Sequence, residues 1–470
     1  MFMGSLSVFF EKTEERIAPS IRLRFQSYHY KKNRTASNRK GSPPEGEALR
    51  QTQSNKGKRM KIQKILYLFI SLFLIFWRSN CPASEIVIGF SGPLTGPAFE
   101  YGSDCRNGVE MAIKEINSAG GLNIQGEKYF FRLGVLDDLA DPAQAQANAR
   151  RFRNEKAIAV FNPVFRSMEN ILKINEEPDN AFLAIGYTLS LKAFSSGNKL
   201  LIVQIPPIAA YMKVYRDIAL EKIWRKAALV VSTGVSRDEW RDQFRVMWDT
   251  IGGQIVSDAE IDYAGKTDYT STLKEVLATG PQVMLIGGPP AETELFIKQA
   301  RHLGYKGGFF LTEQSRLDFL KQNPGTLLAL GETTGPISFL KTPGAAVFDR
   351  KYREVYKKAP TEEVVRHYSV MRALARVISA AGSVDDPYAI RSAFPKAFPI
   401  LGDQFPAESF GISAGGRVQN IAAVERVKNE KLSSTGIYVW WTGSREEFNK
   451  VRMITTIDHP MKRIKVKPAT

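Results

Sequence analysis

From residue 85 onward the chain alternates short apolar runs with longer stretches of helical period. That alternation is the pattern of a parallel sheet covered by helices on both faces. Residues 85–90 (EIVIGF) predict the first strand. A Gly/Pro-rich loop follows, then a helix with Val109, Ala112, Ile113 and Ile116 on one face, stopped by the glycines of 117–121 (NSAGG). Further strands are predicted at 129–136, 157–161, 181–185 and 200–204. A second set follows at 227–232, 254–261, 283–287 and 308–311, with helices at 238–249, 270–278 and 291–303. Later, Val364, Tyr368, Met371, Ala375 and Ile378 repeat at the spacing of one helix face. Two α/β blocks of similar pattern predict two similar lobes, with the stiff Pro206-Pro207 pair as a crossover between them.

Charge changes the picture at the N-terminus. The net charge of +17 suggests nucleic acid, yet residues 1–84 hold 16 Lys/Arg against 5 Asp/Glu, and the other 386 residues hold 49 against 43. No dense basic block with interleaved aromatics occurs in that body, so a nucleic-acid partner is not expected. Lys56, Lys58, Arg59, Lys61 and Lys64 precede the 13-residue apolar run 65–77, and small residues close it at 81–84 (CPAS). A basic start, a short apolar stretch and a small-residue exit make a secretory signal, with the cut expected after Ala83. A permanent span would need about 20 apolar residues. Lipid attachment at Cys81 would want small residues before it, where Arg78-Ser79-Asn80 stand. Only Cys105 then remains, so no internal disulfide is expected. Residues 1–59 are polar, basic and aperiodic: either a disordered extension or residues ahead of a true start at Met60.

Three stretches carry a family resemblance. Residues 88–121 (IGFSGPLTGPAFEYGSDCRNGVEMAIKEINSAGG) resemble, nearly throughout, the opening strand, loop and helix of the type I periplasmic binding proteins, in particular the branched-chain amino-acid binding family of ABC importers. Asp137-Asp138 before Asp141-Pro142 resembles that family's paired aspartates, and 283–303 its strand, Gly-Gly and helix in the second lobe. The resemblance implies a flytrap: two Rossmann-like lobes joined by three crossovers, closing on a solute at the carboxyl ends of the strands. It also implies that lobe one takes its later strands from beyond about residue 340. The organisation expected is an extension at 1–59, a signal at 60–84, lobe one at 85–205 with about 340–420, lobe two at 206–339 with about 421–445, and a basic tail at 446–470.

The same resemblance supplies candidate ligand residues. Tyr101 aligns with a ligand-packing tyrosine, the alternative being a capping aromatic. Thr188 and Ser190 fall where the family binds an amino-acid carboxylate, the alternative being a plain turn. Glu313 matches an acidic residue that pairs with a ligand ammonium, the alternative being a solvated carboxylate. Arg166 stands at a family serine, with Ser167 one step later. Arg237 stands at a family aromatic, and Pro289 at another. Guanidinium groups bind carboxylates in a planar, bidentate way. These departures therefore point to an anionic ligand, unless either arginine is a surface residue.

Enzyme readings find no constellation. The 411–415 run (GISAG) matches a nucleophile elbow, but 416–420 (GRVQN) is a poor helix start, so a hairpin tip is expected. His302, His367 and His459 are far apart and read as surface or interface residues. Asp137 and Asp138 read as capping and loop-fixing residues. No cofactor or metal is expected. The function implied is solute capture in the periplasm for an ABC permease with separate ATPase subunits; the alternative is a ligand sensor coupled to a signalling partner.

Overall fold

The protein is described by a computed structural model that covers residues 84–232, 235–263, 267–320, 324–337, 342–428, 431–438 and 441. The expected extension, the signal segment through residue 83, Cys81, His459 and the tail 446–470 lie outside the described residues.

The first block runs β1 (Ser84–Gly92), α1 (Phe99–Ser118), β2 (Leu122–Ile124), β3 (Glu127–Asp137), α2 (Pro142–Asn154), β4 (Ala159–Asn162), α3 (Phe165–Ile171), β5 (Leu183–Gly186) and β6 (Leu201–Val203). Its strands form one sheet in the order β2-β3-β1-β4-β5-β6. All pair in parallel except β2, which makes a hairpin with β3. Asp141 caps α2 by accepting from the Gln144 N–H at 2.7 Å, with proline at the first helical position where no N–H is needed.

The second block runs α4 (Ile208–Glu221), β7 (Lys226–Val231), α5 (Val235–Thr250), β8 (Gln254–Glu260), α6 (Thr270–Ala278), β9 (Val283–Gly287), α7 (Pro290–His302), β10 (Gly308–Leu311), the short helices α8 (Leu317–Leu320) and α9 (Pro324–Leu330), and β11 (Thr333–Pro336). Helices α10 (Pro343–Tyr356), α11 (Glu362–Ala381) and α12 (Pro387–Ala393) come next. The hairpin β12 (Ser409–Ile412) with β13 (Val418–Asn420), then β14 (Ala422–Lys428) and β15 (Lys431–Tyr438), complete the described chain. The second sheet has the order β15-β14-β11-β10-β9-β7-β8, with β14 and β15 antiparallel at one edge. The chain therefore crosses between the sheets after β6, after β11 and after β13.

Alternation along the strands sets the layers. Ile86, Ile88 and Phe90 pack with α1, α10 and α11 on one face of the first sheet. On its other face Val160, Ala184 and Leu201 join a core shared with α2 and α3. That core continues through Ile205 and Ile208 to Leu229, Leu285 and Phe310 of the second sheet, under α4 and α5. Val230, Met284 and Ile286 face the opposite way, toward α6 to α9. The predicted stripe of α1 is fully buried, as is that of α11.

One implied feature is corrected. The six-stranded sheet of lobe one takes all its strands from residues 84–203; what returns beyond residue 343 is the three helices α10 to α12 and the hairpin β12–β13, which forms a separate two-stranded sheet. The sheet edge at β6 receives only a single bridge, Val203 to Arg417. The physical reason is that the apolar face beside α1, not the edge, lacked cover, and the returning segments have helical period. The 411–415 run is a hairpin turn, and the Ser413 Oγ accepts from the Arg417 N–H at 3.0 Å.

Helix α11 lies against α1 at Gly108, where an added Cβ would stand 2.4 Å from the Val364 carbonyl and 3.0 Å from the His367 Cβ. In an open helix Gly→Ala gains about 0.5–1 kcal/mol. Here overpacking of about 1–3 kcal/mol opposes it. We expect Gly108→Ala to lose about 1–2 kcal/mol net, measured by urea unfolding; a more stable variant would show that the helices can separate freely at this point.

Candidate functional site

The carboxyl ends of β1, β3 and β4 are locked by a buried polar network. Asp138 accepts from the Ser91 hydroxyl at 3.1 Å, the Asn162 amide at 2.8 Å and the Ala140 N–H at 2.9 Å. Burial raises its carboxyl above the usual range despite these donors. Asp137 also feels burial, but the Thr95 hydroxyl and the N–H groups of Leu94 and Leu139 outweigh it and hold that carboxyl low. Asp137 thus fixes the loop between β1 and α1, and Asp138 ties the ends of β1 and β4 together.

The first turn of α1, just after that loop, presents Tyr101. Its hydroxyl donates to the Pro163 carbonyl at 2.8 Å, and its ring lies 6.4 Å from Tyr187, which lies 5.4 Å from His367. Burial pushes the Tyr101 phenol well up, and the Glu363 and Glu313 carboxylates add to it. Glu313 opens the one-turn 3-10 helix after β10 in the second lobe, so its charge reaches a tyrosine of the first. It also acts on Tyr211 and Tyr215 of α4. Glu313 is thus half-buried at the carboxyl end of its sheet rather than a fully solvated carboxylate.

The turn after β5 makes the direct link between lobes. Thr188 Oγ1 accepts from the Ser190 N–H at 3.1 Å, so it forms the turn. The fully buried Ser190 caps the following 3-10 turn and donates its hydroxyl to Glu239 of α5 at 2.5 Å; the Leu191 N–H donates to the same carboxylate at 3.2 Å. A hydroxyl and a backbone N–H of lobe one therefore hold a carboxylate of lobe two. Beside them Arg417 donates to the Ile205 carbonyl at 2.9 Å and to the Thr188 carbonyl at 3.5 Å, over the ring of Phe194. Burial pulls its guanidinium down to about 10, and Glu239 opposes that shift.

The remaining candidates sort differently. Ser167 is fully buried in the first turn of α3, and its hydroxyl has no partner among the described residues. Arg166 and Arg237 both lie in first helical turns, of α3 and α5, rather than on loops. Arg166 is exposed, and the side chain of Arg237 falls outside the described residues. Pro289 caps the start of α7. His367 is no surface residue: it is buried under Phe161 and Tyr187, its Nδ1 at 2.7 Å from the Glu363 carbonyl, its Nε2 without a partner among the described residues. Lone residues such as Tyr187, Glu239, His367 and Arg417 carry no local sequence signal, because their partners lie on other elements: Tyr187 meets Tyr101 and His367, Glu239 meets Ser190, and Arg417 meets Ile205. Among the described residues no group of His, Cys, Asp and Glu is placed to hold a metal ion.

The model of the periplasmic binding protein family matches residues 85–431. The chain is 25% identical over 368 residues to the Leu/Ile/Val-binding protein homolog 1 of Brucella suis, covering 73% of this chain and 91% of that one. Its fold is like that of the branched-chain amino acid transporter substrate binding protein LivJ of Streptococcus pneumoniae, solved with isoleucine (TM-score 0.62, 19% identity, 76% of this chain and 100% of that one). It is also like a solute binding protein of an ABC transporter from R. palustris, solved with benzoate (TM-score 0.62, 15% identity, 77% and 98%).

Two outcomes are expected. A double-mutant cycle of Ser190→Ala and Glu239→Ala, read by unfolding free energy, should give a coupling of about 1–3 kcal/mol; additive losses would dissolve the link. Burial pulls His367 down to about 4 from a usual 6.5. Its neutral form is favoured only in the folded state, so its contribution is present above pH 6.5 and lost as pH falls toward 4. Between pH 7 and 4.5 this amounts to about 2–3 kcal/mol. The loss should be smaller by that amount in His367→Asn; an equal loss would show that His367 protonates without opening the fold.

Proposed function

The chain belongs to the periplasmic binding protein family, and from that premise we propose that it is an extracytoplasmic solute-binding component of an ABC importer. It captures an amino acid or a related small carboxylate between its lobes and delivers it to a membrane permease driven by separate ATPase subunits. Its two α/β sheets joined by three crossings supply the hinge that such capture requires.

One observation carries the reading of the ligand. The Ser190 hydroxyl and the Leu191 N–H already hold a carboxylate, that of Glu239. A site that receives a side-chain carboxylate in this way is built for a ligand carboxylate. Isoleucine and benzoate, bound by two proteins of like fold, share that group on an apolar body. Tyr101 and Ser167 line the first-lobe side of the proposed site, and Glu313 of the second lobe is the carboxylate proposed to meet a ligand's cationic group. Arg166, exposed in the first turn of α3, is proposed to meet a further anionic group, with Arg237 in the first turn of α5 a second candidate for it, which would favour an acidic amino acid or an aromatic acid over leucine.

The test is a thermal-shift screen of the mature chain with leucine, isoleucine, glutamate, benzoate and phenylacetate, followed by calorimetry. At least one should raise the melting temperature. If an amino acid binds, Glu313→Gln should weaken it by about 2–5 kcal/mol and leave benzoate unaffected. No shift with any carboxylate would sink the ligand class; unchanged amino-acid affinity in a folded Glu313→Gln would remove that residue from the site.

A further inference from the structure

At the end of lobe one away from Tyr101, a groove of about 540 Å³ opens between the C-terminal turn of α1, the second half of α11 and the 3-10 turn Phe394–Ala397. Along α1, Tyr101 and Ile116 are about 22 Å apart at the helical rise, so the groove is separate from the crevice. Three cations line it, Arg372, Arg376 and Lys396, with Ile116, Leu122 and Phe405 as apolar walls. No carboxylate lines it among the described residues.

The charge there is poorly balanced. Glu115, the nearest acid, already accepts from the Tyr368 hydroxyl at 2.5 Å and pairs with Lys351 at 2.9 Å, and Arg372 reaches it only at 3.8 Å. The Arg372 guanidinium instead lies over the ring of Phe405 at 5.8 Å. Arg376 donates to the Pro399 carbonyl at 3.3 Å and pairs with no carboxylate among the described residues. Lys396 is exposed on its turn, free to swing toward the opening. Adjacent guanidinium groups raise one another's cost unless an anion joins them. A planar fork of N–H donors is suited to an oxyanion, and the apolar walls leave room for more than the head alone.

We propose that this groove binds an anionic amphiphile: a phosphate or carboxylate head held by Arg372, Arg376 and Lys396, with an apolar tail along Ile116, Leu122 and Phe405. The head could be offered by a free organic anion or by the headgroup of an anionic lipid, and the chemistry recognised is the same. The site is independent of the crevice and of the solute captured there.

The experiment uses the mature chain with two probes. Calorimetry with decyl phosphate below its micelle concentration tests the free anion. Co-sedimentation with phosphatidylglycerol vesicles, against phosphatidylcholine vesicles, tests the lipid surface. Decyl phosphate or phosphatidylglycerol should bind saturably. Lys396→Glu, an exposed change that leaves the core untouched, should weaken that binding by about tenfold or more, and adding Arg376→Ala should abolish it. Decyl phosphate alone would name a soluble anion, and vesicles alone a membrane surface. No binding of either probe, or equal binding by Lys396→Glu and the wild type, overturns the proposal. Carboxylate-induced thermal shifts should be unchanged in Lys396→Glu, so failure here leaves the crevice reading standing.

Discussion

The close crossing of α11 over α1 at Gly108 is the constraint from which the rest of the architecture follows. Helix α1 alone cannot cover its face of a six-stranded sheet, and the chain supplies the missing cover only after it has built most of a second sheet. It must therefore leave and return, which creates three crossings instead of one. Polar contacts hold the return in place: Thr361, the cap of α11, donates to Asp104 at 3.0 Å, and Tyr368 donates to Glu115. Because α11 enters from the crevice side, its first turns bring His367 and the Glu363 charge to Tyr101 and Tyr187. Packing of a helix pair thus decides both the hinge and one wall of the site.

The crevice loops are held by groups that would be costly if left alone. A buried carboxylate such as Asp138 is tolerable because three donors meet it, and the same donors fix the ends of β1 and β4. Arg417 does similar work between the crossings: one guanidinium ties the Thr188 turn to Ile205, while the Glu239 charge partly offsets its desolvation. The hinge is consequently not a bare linker. It is a buried cationic group shared by two of the three crossings, with the counter-charge on the opposite lobe.

Much of the first lobe was legible in the sequence, and the reason is local. Residues 85–90, 129–136 and 283–287 alternate or run apolar between glycines, and the α1 and α11 stripes repeat at helical spacing, so each element declares itself. Helices α2 and α4 were not read. The buried face of α2 is made largely of alanines with a single Phe152, whose ring seats on Gly89 and Gly134 of neighbouring strands, a fit invisible without the sheet register. A resemblance transmits that the chain comes back, not in what form: the return is mainly helical, and its two strands form a separate hairpin instead of extending the six-stranded sheet. Tyr101 and Glu313 were proposed as site residues from motif position alone, whereas the contacts of Glu239 and Arg417 join residues 49 or more positions apart and leave no local signal.

The Glu239 contact also limits what a ligand carboxylate can gain. In water-exposed terms the Ser190 hydroxyl and Leu191 N–H are free donors. Here they are already satisfied, so an entering carboxylate exchanges one charge-assisted bond pair for another and the net gain from that exchange is small. It also releases Glu239, whose charge must then find water or the Arg417 guanidinium. In the proposed site this exchange orients a ligand carboxylate but by itself adds little affinity. Affinity has to come from the remainder of the molecule, from apolar surface set against Tyr101 and Tyr187 and from any cation brought to Glu313. If the proposed carboxylate ligand is right, discrimination then rests on the ligand's body rather than on its acid group.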